Sequence, residues 1–211
     1  MGNITKKYHT VGLVARLKPL HIGARAMLEA ACENAEHVKI GIGSCNRYDL
    51  RNPFTKEESA DMVNAILQHL YSNYEILFIP DFAHLDEKFH DGKKWMEFVT
   101  TTYGTLDAFI TGNDYVKELL LDKYPIIHPA KLIPTEKRII CKATHVRYLM
   151  ALGDTWRNLV PNEVQNYLDQ HHLVERFRKE FGLQTIFYVN DSVKTRLYET
   201  AGEEQKHTWG S

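Results

Sequence analysis

The stretch from Thr10 to Gly43 constrains the fold of this chain more than any other. Thr10-Val-Gly-Leu-Val-Ala15 is a short apolar run rich in β-branched residues, and it reads as a buried strand. A polar loop, Arg16-Leu-Lys-Pro-Leu-His-Ile-Gly23, separates it from Ala24–Ala35, whose Ala, Leu, Met and Glu content and apolar spacing predict a helix. Val38-Lys-Ile-Gly-Ile-Gly43 then reads as a second strand. Strand, loop, helix and strand in that order form a βαβ unit, which demands parallel strands joined by a right-handed crossover.

The alternation continues downstream. Thr55 is placed to cap a helix that opens Lys56-Glu57-Glu58 and runs to about Leu70, with acidic residues suited to the positive end of the helix dipole. Tyr74–Ile79 and Leu106–Ile110 are predicted strands, and Thr111-Gly-Asn-Asp114 leads into a helix to about Leu121. Ile126-Ile127 and Arg138–Cys141 are candidate short strands. Thr144 is placed to cap a helix through about Leu152, and Pro161 opens helical segments to about Phe181. This pattern predicts an α/β fold, a Rossmann-like three-layer sandwich with a mostly parallel sheet and a helical C-terminal part.

Residues 1–181 are expected to form that domain, and 182–211 a C-terminal extension. In the extension, Gln184–Val189 is expected as an edge strand or an arm packing on a partner, with a mobile polar tail from about Thr200. A homo-oligomer built through this segment is left open.

Composition narrows the classes. The 211 residues carry 26 basic and 27 acidic side chains, a net charge of −1, so no global field draws the chain to nucleic acid. Cys32, Cys45 and Cys141 make no closely spaced pair and suggest neither a zinc site nor a disulfide framework. No apolar run reaches the ~18 residues of a membrane span, and the start Met1–Tyr8 lacks the apolar core of a signal peptide. The expectation is a cytoplasmic protein with no membrane or nucleic-acid partner and no metal ligands of its own.

In doubly wound α/β folds, ligands sit beyond the C-terminal ends of the strands. The loop after the first strand places Arg16, Lys18 and His21 at a helix start, where backbone N–H groups favour an anion. Pro19 stiffens the loop, and Gly23 permits a close backbone approach. The combination suggests a phosphate cradle.

Gly12-Leu-Val-Ala-Arg16-Leu-Lys-Pro19-Leu-His21-Ile-Gly23-Ala24 resembles the signature loop of the nucleotidyltransferase α/β-phosphodiesterase superfamily. Within that superfamily it is most similar to the archaeal-type nicotinamide-nucleotide adenylyltransferases. Ile40–Ser44, Asn52-Pro-Phe-Thr55, Lys142-Ala-Thr144-His-Val-Arg147 and Leu149–Pro161 extend the resemblance over roughly residues 10–170. The resemblance implies transfer of AMP from ATP to a small phosphorylated acceptor such as nicotinamide mononucleotide, with release of pyrophosphate. It implies Mg2+ held mainly by the nucleotide phosphates.

His21, Lys18 and Arg16 are then the expected catalytic groups. Gly23, Thr144, Arg147, Gly112 and Asn113 are expected to bind the nucleotide, and Asp81 and Trp95 the acceptor. The departures from the family pattern are Ala24 for a second histidine, Lys18 for glutamine and Ser59 for arginine. Gly92 and Phe98 stand where an asparagine and a histidine are expected. They leave open a catalytically weakened homologue that binds nucleotide as a sensor, or a cytidylyltransferase with another acceptor.

Overall fold

The computed structural model describes residues 6–191. Five strands form one sheet in the order β3-β2-β1-β4-β5: β1 (Tyr8–Ala15), β2 (Ala35–Gly43), β3 (Tyr74–Ile79), β4 (Ala108–Ile110) and β5 (Ile126–Ile127). Every pair is parallel. The connecting helices are α1 (Ile22–Asn34), α2 (Lys56–Leu67), α3 (Lys93–Tyr103) and α4 (Asp114–Leu120), followed by α5 (Ala143–Leu152), α6 (Asn162–Gln170) and α7 (Leu173–Phe177). The expected α/β three-layer architecture is what is found.

Alternation along the strands divides the core between the two faces. Val11, Leu13, Ile40 and Ile110 pack with Leu28 of α1, Met62 and Val63 of α2, and the helices α5–α7. Phe109 and Ile79 face the other way, against Val99 and Tyr103 of α3 and Leu120 of α4. On that second face two strand glycines matter. A Cβ on Gly12 would lie 2.7 Å from the Tyr103 ring, and one on Gly41 would lie 2.1 Å from its hydroxyl. Tyr103 therefore lies flat across β1 and β2 and donates from its hydroxyl to the Leu13 carbonyl (2.7 Å).

Two predicted elements differ from expectation. Arg138–Cys141 is not a strand but part of an irregular segment with single 3-10 turns at Pro129–Lys131 and Thr135–Lys137. It pairs with no strand, and β5 remains the edge of the sheet. Residues 183–191 continue the helical run of α7 through a π-helical turn at Arg178–Gly182 and form neither an edge strand nor an extended arm. Their β-branched and aromatic content is overridden by burial of Thr185 and by the Tyr148 hydroxyl donating to Asn190 Oδ1 (3.1 Å). The polar tail from Thr200 lies outside the described residues.

Thr144 does not cap α5. Lys142 holds the N-cap position and Thr144 stands inside the first turn. Among the described residues no helix is long and apolar enough to cross a membrane.

Candidate functional site

The strand order reverses at β1, whose neighbours are β2 on one side and β4 on the other. That switch point is where an open α/β sheet leaves a crevice beyond its strand ends. Two cavities open there and share Ala15 and Arg16, at the end of β1.

The first cavity, about 490 Å3, lies between the start of α1 and the start of α5. Its lining includes Arg16, His21, Gly23, Ala24, Arg51, Thr144 and Arg147, and it contains no carboxylate. His21 is the N-cap of α1, and its Nδ1 accepts the Ala24 N–H (3.2 Å). A neutral imidazole that accepts at Nδ1 carries its proton on Nε2, so the ring keeps one donor for a ligand. Burial and the Arg147 charge push the His21 pKa down to about 4, so the ring is neutral at pH 7. By helix geometry the N–H groups of Ile22 and Gly23 have no intrahelical acceptor.

Arg147 ties the two walls of this cavity together. Its Nη1 donates to the Lys18 carbonyl (2.8 Å) and its Nη2 to Thr144 Oγ1 (3.2 Å). The residue is only 5% exposed, and its Nε has no partner. Burial, then the charges of Arg16 and Arg51, lower its pKa to about 10. Arg16 is exposed, but crowding by surrounding atoms and the Arg51 charge lower its pKa too. Arg16 and Arg147 are thus each disfavoured by desolvation and by neighbouring cations, offset only in part by Asp49, a condition an anion would relieve.

Lys18 sits elsewhere than expected. It is fully buried, lines neither cavity, and its Nζ donates to the Ser44 carbonyl (3.0 Å). Leu17 adopts a positive φ of 54° with its side chain in the core, and a cis Lys18–Pro19 peptide follows. Lys18 points inward and joins the end of β1 to the end of β2. Burial pushes its pKa down to about 8. The close approach that Gly23 permits is also different: a Cβ there would meet the Ile139 carbonyl at 2.9 Å, so the irregular segment after β5 folds over it.

The second cavity, about 340 Å3, is lined by Ser44, Asp81, Phe82, Phe89, Gly92, Trp95, Asn113 and Tyr115. Asp81 is fixed on three sides. Arg47 Nη1 donates to its Oδ2 (3.0 Å), its backbone N–H donates to Asn46 Oδ1 (2.7 Å), and Asn46 Nδ2 donates back to its carbonyl (3.1 Å). Phe98 meets Phe82 edge to face at 5.5 Å, and Phe82 meets Phe89 at 6.3 Å. Gly92 caps α3 with φ 75°, and a Cβ there would strike the Tyr115 hydroxyl at 2.4 Å.

Asp81 and Trp95 are therefore together, as are Arg16, His21, Gly23, Thr144 and Arg147. Asn113 lies with the Asp81 group instead of the His21 group, and caps α4 through Oδ1, which accepts the Val116 N–H (3.1 Å). Gly112 lines neither cavity and faces His128 in a smaller hollow. Ser59 is buried with its hydroxyl donating to the Thr55 carbonyl (2.8 Å), outside the cavity. Arg25 is bound to Glu29 and Glu163.

Sequence reading missed Arg51, Phe82, Phe89 and Tyr115. Arg51 directly precedes Asn52-Pro-Phe-Thr55, and that turn was the available signal. The aromatic residues carried none, because the 82–92 segment between β3 and α3 has no periodicity.

No family model matches the chain. It is 31% identical over 170 residues to the nicotinamide-nucleotide adenylyltransferase of Thermococcus sibiricus, a match covering 78% of this chain and 86% of that relative. To the enzyme of the same name from Pyrococcus horikoshii it is 30% identical over 169 residues, covering 78% and 85%. Among solved structures it is similar to a bifunctional NMN adenylyltransferase/ADP ribose pyrophosphatase from Francisella tularensis, complexed with AMP and a manganese ion. That match has a TM-score of 0.64 at 19% identity. It covers 92% of this chain and 56% of that one, so the chain spans little more than half of the bifunctional protein. At that identity the likeness is one of fold.

Proposed function

The chain belongs to the nicotinamide-nucleotide adenylyltransferase family, and on that premise we propose that it transfers AMP from ATP to a small phosphorylated acceptor such as nicotinamide mononucleotide. The observation that carries the reading is the pair of cavities meeting at Arg16, one cationic and one aromatic. The complex of the Francisella protein with AMP supports nucleotide binding on this fold.

An oxygen of the acceptor phosphate attacks the α-phosphorus in line. The new O–P bond forms as the bond from the α-phosphorus to the bridging oxygen breaks, and that oxygen leaves on pyrophosphate. The protein forms no covalent bond in this step, so it acts by positioning and by countering negative charge. Arg16 stands where the two ligands would meet and faces the α-phosphate. The Nε2–H of His21 and the free N–H groups at the start of α1 donate to the bridging and leaving oxygens. Thr144 and Arg147, at the start of α5, take the distal phosphates. Lys18 acts as a positioning residue, holding the Arg16–His21 loop to Ser44.

The first cavity has no carboxylate, and no group of three or more His, Cys, Asp or Glu suited to a metal occurs among the described residues. A protein-held cation does not fit this donor set. Magnesium belongs to the substrate, as the Mg2+–nucleotide complex, and no step is routed through it.

A second reading, a nucleotide-binding sensor, is favoured by Ala24, which lines the cavity without a donor, and by Ser59, which is turned away from it. Pyrophosphate release, measured for the four nucleoside triphosphates with several acceptor phosphates beside thermal-shift binding, separates the two. Release with ATP and nicotinamide mononucleotide is the expected result. Binding without release from any pair overturns the transferase in favour of the sensor, and absence of both overturns the phosphate cradle itself.

A further inference from the structure

Arg51 lines the cationic cavity together with Arg16 and Arg147. Its backbone N–H donates to Asp49 Oδ1 (2.8 Å), which also accepts from the Asn52 N–H (3.0 Å) and Asn52 Nδ2 (3.0 Å). Asp49 Oδ2 is held by Arg47 (2.7 Å). The turn carrying Arg51 is thus pinned, and both oxygens of its nearest carboxylate in sequence are already bonded. Arg25, Arg47, Arg157 and Arg176 each meet a carboxylate, and none of them lines the cationic cavity. Arg16, Arg51 and Arg147 line it, and none of the three has a carboxylate partner among the described residues. The charge of Arg51 reaches both of the others, since it is one of the causes that lower each of their pKa values.

Three guanidiniums line one cavity that has no carboxylate in its wall; Asp49 and Asp81 offset their mutual repulsion only in part, and several negative charges in the cavity would relieve the rest. A chain of phosphates offers three such forks more acceptor oxygens and more negative charge than a monophosphate does. Ser59 offers nothing to that cavity, so the wall formed by the 49–55 turn depends on Arg51 for its charge. We propose that Arg51 binds the distal phosphates of the nucleotide and makes this cavity select polyphosphate over monophosphate. This rests on the phosphate-transfer reading of the same cavity.

The test uses the full chain and inorganic tripolyphosphate as the probe, with affinity measured by titration calorimetry. R51Q removes a charge-assisted hydrogen bond to phosphate and is expected to weaken tripolyphosphate binding about 10-fold or more, while AMP binding changes less than about 2-fold. R51K is expected to retain part of the affinity. R157Q, which removes an arginine paired with Asp169 away from the cavity, is expected to bind like the wild type. If R51Q binds tripolyphosphate as tightly as the wild type while R147M does not, the Arg51 assignment falls and the cavity reading stands. An equal loss in R51Q and R157Q marks a general charge effect and also overturns it. A wild type that binds no tripolyphosphate overturns both the assignment and the reading beneath it.

Discussion

The two cavities at the end of β1 share Arg16 and almost nothing else. The first is walled by two helix N-termini, three arginines and a neutral histidine, and has no negative group. The second is floored by Phe82, Phe89, Trp95 and Tyr115, and its one carboxylate, Asp81, is held by Arg47. A cationic wall recognises charge and number of phosphates, with little regard for what they are attached to. An aromatic floor with a fixed carboxylate recognises a flat ring and repels a second negative charge. On the proposed reading the cationic side would set the class of reaction and the aromatic side the identity of the acceptor, and substitutions should separate the two.

The largest separation is expected from Arg147→Ala. Arg147 lines only the first cavity and holds the Lys18 carbonyl from a nearly fully buried position. Its loss is expected to lower kcat/KM for the nucleotide by about 10²–10³-fold. It should also destabilise the fold by about 2 kcal/mol, since the buried Lys18 carbonyl loses its charged donor. Steady-state pyrophosphate release and denaturant unfolding check the two effects. The KM for the acceptor should stay within a few-fold of the wild type; a parallel rise would mean that the cavities do not act separately.

Ala24→His comes next. Ala24 lies in the first turn of α1 beside His21 and lines the first cavity. An added imidazole donor there is expected to raise kcat by about 10²-fold with little change in acceptor KM. An unchanged rate in an active wild type would mean that another group already supplies that donor. On the other side, Trp95→Ala is expected to raise the acceptor KM about 10-fold by removing a stacking surface, and to leave nucleotide KM alone. Competition assays with each substrate varied in turn distinguish the two.

The division between the cavities also explains what could be read from sequence. The Arg16–Gly23 loop and Thr144–Arg147 lie directly after a strand or at a helix start and meet in one cavity, with Arg51, just before Asn52–Thr55, beside them. Asp81 likewise follows a strand. Lys18 was misplaced because its direction depends on the positive φ of Leu17 and the inward turn that follows, which residue type does not reveal. Helix α3 was missed because Gly92 offers no side-chain cap and Thr100-Thr101-Thr102 is weakly helix-forming; its end is held by Tyr103, which packs against Gly12 and Gly41 and bonds the Leu13 carbonyl. Gln184–Val189 has strand-like composition, yet it continues the helical run of α7. Each of these depends on packing between segments distant in sequence.

The last expected effect concerns His21 and is read on stability, apart from its role as a donor in the transfer. Burial and Arg147 hold its folded pKa at about 4, below the ordinary 6.5. Between those values the unfolded chain binds a proton at this position that the folded chain does not. Stability therefore rises with pH from about 4 to 6.5 and gains nothing more from this group above it. Asparagine at this position can still cap α1 through its side-chain oxygen. His21→Asn is thus expected to flatten that part of the pH–stability curve while leaving stability at pH 8 within about 0.5 kcal/mol. A phosphate chain in the first cavity favours the protonated ring, so tripolyphosphate should shrink the same slope in the wild type. A ligand confined to the aromatic cavity should not. Urea unfolding across pH 4–8, with and without tripolyphosphate, measures this, and a slope that persists in His21→Asn would assign the titration to another group.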